Sequence, residues 1–461
     1  MDTLDKLELL ADAAKYDAAC TSSGVGRRPR KGALGRTTAA GCCHSFTPDG
    51  RCITLLKVLM SNACSYDCAY CVSRASACCR RATFSPRELA ELTVDFYRRN
   101  FVVGLFLSSG VMGTPDATTE RMIECLRILR EELRFNGYVH AKVIPGTSPE
   151  LLDRLGRLAD RLSSKLELPS SASLSRLCPN KSARSVLAPM GQIACTRAQE
   201  ERSLPACTAP EQRRTLTLRQ RRTAAQEGLS LRSNGNALIL GRPKSRVPAA
   251  KRSFVPAGQS TQLIVGATPE SDNHILQLSQ SLYRRYDIRR VFFSAYMPIM
   301  EDERLPERDT PVPLRREHRL YQADWLMRYY AFSPDELATP EEPWLDLDLD
   351  PKLAWALRHM DRFPVEVMDA PLELLLRVPG VGPMGARRII AARGHTRLSF
   401  SDLKRLNVTL KRARHFLTCS GIRDKDCPLD EGLIRQRMVS DVTTTRYNQR
   451  RREAEGQLSL F

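Results

Sequence analysis

The period of apolar positions changes several times along the chain. Leu4 to Tyr16 repeats at helical spacing and predicts an amphipathic helix. From Cys52 to about Met300, β-branched and aromatic runs alternate with longer segments whose apolar residues recur every three to four positions. ITLLKVLM, FVVGLFLSS, YVHAKVIPG and SKLELP read as strands, followed later by TQLIVGAT and VFFSAYMP. SPRELAELTVDFYRRN opens with the Ser-Pro of a helix start, and TTERMIECLRILREEL, SPELLDRLGRLADRL and SDNHILQLSQSLYRRY carry the helical period on. Strands alternating with helices of this length build βαβ units on a parallel sheet. The expected fold is therefore α/β, a partial (β/α)6 barrel with its site at the C-terminal ends of the strands.

Residues 1–50 form an N-terminal helix and a basic, Cys-containing extension, and the barrel core is expected over 51–300. A stretch at about 178–252 interrupts it with weak periodicity, reading as a flexible basic insertion. A helical connector at 301–358 includes RREHRLYQADWLMRYYAF, in which Leu320, Trp325 and Tyr329 are expected to pack, with base stacking as the alternative. A helical module at 359–420 and a polar, Arg-rich tail at 421–461 complete the chain.

Charge sharpens this picture. The 461 residues hold 71 Lys and Arg against 52 Asp and Glu, a net charge of +19, which favours a polyanionic partner. Residues 176–252 alone supply 16 Lys/Arg against 4 Asp/Glu, compatible with a solvated linker or with non-specific phosphate contact. No run of 18 apolar residues occurs and the first residues lack an apolar signal core, so no membrane partner and a reducing cytoplasmic location are expected. In that setting the 15 cysteines suggest metal or redox chemistry before disulfides. Nine of them fall within the first 79 residues, which a scattered structural use does not explain.

Cys64-Ser-Tyr-Asp-Cys68-Ala-Tyr-Cys71 is C-x3-C-x2-C directly after the first strand of the βα series. Three thiolates on so short a loop suit three irons of a 4Fe–4S cluster and leave the fourth iron open; a structural zinc site wants two close pairs of ligands. This pattern resembles the radical S-adenosylmethionine superfamily. The resemblance implies a 4Fe–4S cluster on Cys64, Cys68 and Cys71 whose open iron chelates S-adenosylmethionine. It further implies reductive cleavage to a 5′-deoxyadenosyl radical, hydrogen-atom abstraction from a substrate, and an electron donor such as flavodoxin or ferredoxin. Tyr70 matches the aromatic beside the adenine, and Ser108, Ser109 and Gly110 stand where the superfamily has a small-residue motif at the second strand. Gly266 and Glu270, in the stretch from Ile264 to Glu270, match a later cofactor-contacting pattern. Ser108–Gly110 is equally compatible with a tight turn, and Glu270 with an acid at a helix N-terminus. Cys20, Cys43 (or Cys42) and Cys52 could hold a second cluster or be packing residues, while Cys178, Cys195, Cys207, Cys419 and Cys427 have no ligand spacing.

LADAAKYD, CHSFTPDGRC, DCAYC, FYRRNFVVGLFLSSGV, PAGQSTQLIVGATPES, REHRLYQADWL, DPKLAWALRH and LLRVPGVG resemble more narrowly the DNA modification and repair subgroup of that superfamily. Residues of about 195–250 depart from it. PLELLLRVPGVGPMGARRIIAAR resembles a helix-hairpin-helix element, with Gly380 and Gly382 shaping the hairpin and Arg387 and Arg388 adding charge for DNA backbone contact. DLKRLNVTLKRARHFL reads as a degenerate second copy; a purely structural helical hairpin is the alternative. The C-terminal Gln457-Leu458-Ser459-Leu460-Phe461 resembles the bacterial sliding-clamp binding motif, with Gln457, Leu458, Leu460 and Phe461 as its anchors. The function expected is a radical S-adenosylmethionine enzyme acting on DNA. An RNA-modifying enzyme and a non-catalytic, DNA-bound iron–sulfur redox sensor are the alternatives.

Overall fold

The computed structural model describes residues 2–14, 42–46, 52–203, 231–234, 237–240 and 253–444. Helix α1 (Thr3–Ala14) lays Leu7, Leu10, Ala11 and Ala14 into the core. The sheet follows: β1 (Cys42–Phe46), β2 (Cys52–Leu59), β3 (Gly104–Ser108), β4 (Tyr138–Lys142) and β5 (Arg161–Ser163), with β8 (Gln259–Val265) and β9 (Ile288–Ala295). Its order is β1-β2-β3-β4-β5-β8-β9, with β1 antiparallel to β2. The remaining six strands run parallel as a half-barrel, as the strand–helix alternation predicts.

Helices α2 (Pro86–Arg98), α3 (Pro115–Arg127) and α4 (Pro149–Leu158) are the crossovers. Ser85 closes a capping box with Glu88 ahead of α2, and Thr114 accepts from Ala117 N–H ahead of α3. A π turn over Ile128–Glu132 extends α3 and directs the chain into β4. Leu89, Leu105, Leu107, Met122, Leu126, Val139, Leu152, Leu155 and Leu162 fill the core between sheet and helices. The strand expected at SKLELP starts earlier, at Arg161, and Glu167 makes only an isolated bridge to Leu263.

The stretch expected to be a flexible insertion is partly built into the fold. After α5 (Ser171–Leu177) the chain forms α6 (Ala183–Ser203), which buries Val186, Met190 and Ile193. These three lie on one helical stripe that the surrounding basic residues conceal in the sequence. Arg197 pairs with Asp287, and Glu200 accepts from Phe254 N–H at 2.7 Å, fixing the helix at both levels. Strands β6 (Leu231–Asn234) and β7 (Ala237–Leu240) pair as an antiparallel hairpin.

The chain divides into two compact units: residues 1–263, 282–292 and 298–310, and residues 264–281, 293–297 and 311–461. Helix α7 (Asp272–Tyr286) runs through both ranges. The second unit continues with α8 (Leu314–Tyr329), α9 (Pro334–Leu337), α10 (Pro351–Arg358), β10 (Val365–Glu366), α11 (Leu372–Arg377), α12 (Pro383–Arg393), α13 (Phe400–Arg405) and α14 (Leu410–Ala413). It ends with β11 (Leu417–Cys419), β12 (Ile422–Arg423) and α15 (Glu431–Thr444). A module expected to be wholly helical thus also carries a small β10-β11-β12 sheet. Among the described residues no helix is long and apolar enough to cross a membrane.

Lys352 on α10 has its ammonium almost wholly buried, 2.6 Å from the Val381 carbonyl and over the Tyr330 ring. Burial pushes its pKa down to about 7 against the opposing pull of Asp350, with Arg377 adding to the depression. The folded state therefore binds fewer protons than the unfolded chain between about pH 7 and the ordinary lysine value. Stability rises with pH across that window and is lost as pH falls through 7. Calorimetric melting from pH 6 to 10 should show this rise, at most about 1.4 kcal/mol per pH unit. Lys352→Met should flatten it, and a variant slope equal to that of the parent would disprove the assignment.

Candidate functional site

The parallel register sets Leu59 opposite Ser108, so β2 and β3 end side by side. The loop after β2 carries Cys64, Cys68 and Cys71 and has no regular structure, so its backbone groups need partners from outside. The turn after β3 supplies them. Gly110 N–H donates to the Ser61 carbonyl at 2.7 Å, and Ser65 N–H donates to Val111 O at 2.8 Å. Gly110 comes so close that a Cβ there would lie 3.0 Å from Cys64 Cβ. The Cys64 sulfur accepts from Val111 N–H at 3.3 Å and from Tyr66 N–H at 3.4 Å.

Arg81 completes the loop. Its guanidinium donates to the carbonyls of Asn62, Ser73, Arg74 and Ala77. Asp67 accepts from both the backbone and the hydroxyl of Ser76, which closes the turn and holds the Asp67 carboxyl below its usual range. Arg74 donates to Ala69 O and pairs with Asp302 at 3.2 Å. Tyr66 reaches the Pro145 carbonyl after β4. Nothing in the local sequence singled out Arg81; its role follows from a guanidinium fork matched to several carbonyls.

The segment after α5 packs on the same loop. Ala69 N–H donates to Leu177 O, and the Tyr70 hydroxyl lies 3.3 Å from the Cys178 sulfur and accepts from Lys181 at 3.4 Å. Cys178, which spacing alone left without a role, is thereby brought against Cys68. Hydrogen bonding from Cys178, opposed by burial and assisted by Lys181, lowers the Cys68 thiol to about 6. Burial instead pushes the Cys71 thiol up to about 11 and lifts the Tyr70 hydroxyl well above its usual value. Although burial works against the Lys181 charge, Cys68, Glu167 and Cys178 hold its pKa above the ordinary lysine value. Glu167, in turn, lies 3.8 Å from Lys142.

Ser108 and Ser109 are both buried, the latter donating to Gly110 O. Among the described residues the buried hydroxyls of Ser108 and Ser163, at the ends of β3 and β5, have no hydrogen-bond partner. Gly266 adopts a φ of +88°, and a Cβ there would meet Pro313 Cγ at 2.6 Å; the Glu270 carbonyl accepts from Arg316. Both belong to the second unit. Among the described residues no three His, Cys, Asp or Glu side chains gather as ligands of one metal ion. An iron–sulfur cube asks for a different donor set, one thiolate per iron from a wrapping loop. Cys64, Cys68 and Cys71 stand on one such loop, with Cys71 within electrostatic range of the other two, and have the chemistry to provide it. Cys20 lies outside the described residues, as do Gln457, Leu458, Leu460 and Phe461; the side chains of Cys42, Cys43 and Cys52 are likewise not described.

In the second unit, the Val378–Gly382 hairpin joins α11 to α12, and residues 406–409 join α13 to α14. The hairpins interlock: Thr409 N–H donates to Gly380 O at 2.9 Å. Gly380 and Asn407 occupy corresponding places with positive φ, +84° and +71°. A Cβ at Gly380 would lie 2.5 Å from Thr409 O, so this glycine is required by packing as well as by backbone conformation. Gly382 is the N-cap of α12, whose first turn has no side-chain cap. Arg387 and Arg388 are exposed on the same helix, whereas Arg393 donates to the Val367 and Ala370 carbonyls and is structural.

No family model matches the chain. No curated protein is similar to it. Solved structures with a similar backbone arrangement include the FeFe-hydrogenase maturase HydG from Carboxydothermus hydrogenoformans, 10% identical over 59% of this chain and 50% of that one, with a TM-score of 0.37. Methylornithine synthase (PylB) is 12% identical over 59% of this chain and 60% of its own, with a TM-score of 0.36. A further structure of HydG, a maturase of the FeFe-hydrogenase, is 10% identical over 87% and 81%, with a TM-score of 0.36. The chain thus spans half to three fifths of the first two. Likeness this loose transfers no chemistry.

Arg81→Lys should keep the fold but free at least one of the four carbonyls and lose the planar fork that holds them. Amide exchange across residues 68–77 is expected to quicken at least tenfold, since hydrogen bonds to a charged group contribute about 1.5–3 kcal/mol each. Unchanged exchange would remove Arg81 from its role.

Proposed function

We propose that the chain is a radical S-adenosylmethionine enzyme that acts on DNA. The observation that carries the first half is the C-x3-C-x2-C loop at the C-terminal end of the first parallel strand, clasped by the Ser109–Val111 turn of the next strand. Cys64, Cys68 and Cys71 would hold a 4Fe–4S cluster, and Tyr70, Ser108, Ser109, Gly110, Gly266 and Glu270 are the proposed cofactor contacts. Bound there, cluster and S-adenosylmethionine supply reductive C–S cleavage and hydrogen-atom abstraction. The chain's own contributions are mechanical and electrostatic. Arg81 and the β3 turn hold the loop that carries the three thiols. Lys181 offsets negative charge at Cys68. The sheet's C-terminal edge offers buried hydroxyls in place of water. A flavodoxin-like or ferredoxin-like donor would supply the electron.

The second half rests on the interlocked hairpins. Residues 371–423 carry eleven Lys/Arg against two Asp/Glu, and the uncapped first turn of α12 presents amide N–H groups beside that charge. Contacts of this kind hold a phosphate backbone without reading bases, so the proposed interface is independent of sequence. The terminal Gln457–Phe461 peptide adds a proposed sliding-clamp contact that would bring the enzyme to DNA.

Anaerobically reconstituted protein should hold about four irons per chain and release 5′-deoxyadenosine from S-adenosylmethionine on reduction. Cys64/Cys68/Cys71→Ala should do neither; nucleoside release by that variant, or none from the parent, would refute the enzyme reading. For DNA, Gly382→Asp is the discriminating change. Its φ of −95° suits an N-cap aspartate and a Cβ there clears Tyr330 Oη by 3.5 Å, so the fold is kept while a carboxylate faces the phosphate. Affinity for unrelated duplexes should fall equally, by about tenfold; undiminished binding sinks the hairpin assignment. Deleting Gln457–Phe461 should abolish co-purification with the clamp.

A further inference from the structure

Helix α8 leaves two large rings in water. Leu320 and Leu326 of the same helix are buried, but Trp325 is 51% exposed and Tyr329 49%. The sequence pattern assigned both to packing, and the structure corrects that: α8 buries its Leu320 side, not the face these rings occupy. Exposed single apolar residues need no explanation, but this pair is organised. The rings lie tilted against each other, with centroids 4.2 Å apart and planes at 42°. The Arg328 guanidinium lies 5.1 Å over Tyr329, positioned by its 3.0 Å bond to Asp324.

The pair is also tied to the hairpin. The hydroxyl of Tyr330, the next residue along, lies near the Trp325 side chain. That hydroxyl sits against Gly382, where a Cβ would come within 3.5 Å. Lys352 stands 4.6 Å over the Tyr330 ring and donates to Val381 O, joining the same two segments a second time. An exposed aromatic pair therefore adjoins the residue, Tyr330, that touches the uncapped start of α12, in a region carrying a net charge of +9 over residues 371–423.

We propose that Trp325 and Tyr329 form a stacking platform for one unpaired nucleotide of a DNA strand whose backbone lies on the Val378–Gly382 hairpin. This rests on the DNA reading above and extends it: the hairpin positions the strand, and the platform selects a base that is out of the duplex stack. The charge points to a polyanion, and the rings point to a polyanion with flat apolar faces. A paired base cannot reach such a platform because its faces are covered by its neighbours, so the favoured ligand is a bulged, gapped or extruded nucleotide.

The test uses the full-length protein and fluorescence anisotropy with one DNA duplex, intact or carrying a single-nucleotide bulge. The parent should bind the bulged duplex about tenfold more tightly than the intact one. Trp325→Ala and Tyr329→Ala should each erase most of that preference and leave intact-duplex affinity unchanged, and Trp325→Phe should restore it. 2-Aminopurine at the bulge should be quenched by the unmodified protein, a readout that needs no variant to fold. Equal affinity of the parent for the two duplexes, retention of the preference in Trp325→Ala, or unquenched 2-aminopurine overturns the platform. So does a Trp325 effect confined to RNA of the same sequence, or variants that alter capture of an apolar peptide only. Failure of the parent to bind either duplex would instead refute the DNA reading on which the platform rests.

Discussion

One close approach organises the first unit: the Cα of Gly110 against Cys64. Any side chain at that point would press the loop away from the end of β3. The two backbone hydrogen bonds across the seam, and those onto the Cys64 sulfur, would then be strained together. The approach is possible only because Leu59 and Ser108 are register partners, so sheet register fixes where the thiols stand. An irregular loop is normally the least ordered part of a fold. Here its carbonyls converge on one guanidinium from Arg81, and order is restored without helix or strand.

Charge burial around the loop follows from the same architecture. Lys142, Glu167 and Lys181 come from three separate segments, and burying any one alone would cost several kcal/mol. Together with Cys68 they form a mutually compensating set in which the thiol next to Lys181 and Cys178 is lowered while Cys71, where burial outweighs the pull of Lys142, is raised. Metal-binding thiols must lose their protons, so a cation already in place favours the ligating form. On the proposed reading, Lys181 and Cys178 tune a site whose three ligands lie on a different stretch of chain.

What the sequence made legible was what is local. The β-branched runs gave the parallel strands, the Ser-Pro start gave the capped helix α2, and three cysteines within eight residues marked a loop. What it concealed was brought together by tertiary structure. Cys178 and Lys181 lie more than a hundred residues from the thiols and the Tyr70 hydroxyl they approach, and Lys352 lies 29 residues from the carbonyl it donates to. Helix α6 was concealed because its buried stripe is diluted by Arg, Gln and Glu. The platform on α8 failed in the opposite way. Periodicity shows which residues share a face, but it does not show which face finds a partner, so Trp325 and Tyr329 were assigned to a core they do not enter.

The two hairpins allow a comparison within one molecule that separates folding requirements from the rest. The second hairpin reaches the same turn with Asn407 in the left-handed region, buries Val408 as the first buries Val381, and contains no glycine. The turn therefore does not demand Gly-Val-Gly. In the first hairpin Gly380 is forced by its contact with Thr409, and Gly385 sits 3.6 Å from Asn407 O and Val408, a space a methyl group could share. Gly382 is under neither constraint: its φ is open to any residue, and its nearest neighbour is a hydroxyl at 3.5 Å. An aspartate, asparagine or serine there would cap α12 better than glycine does. What glycine alone provides at that position is an unobstructed run of amide N–H groups. A hairpin built only to fold gains nothing from that exposure, whereas one that takes a phosphate needs it, and this contrast is the strongest physical reason to read the module as a grip on a strand.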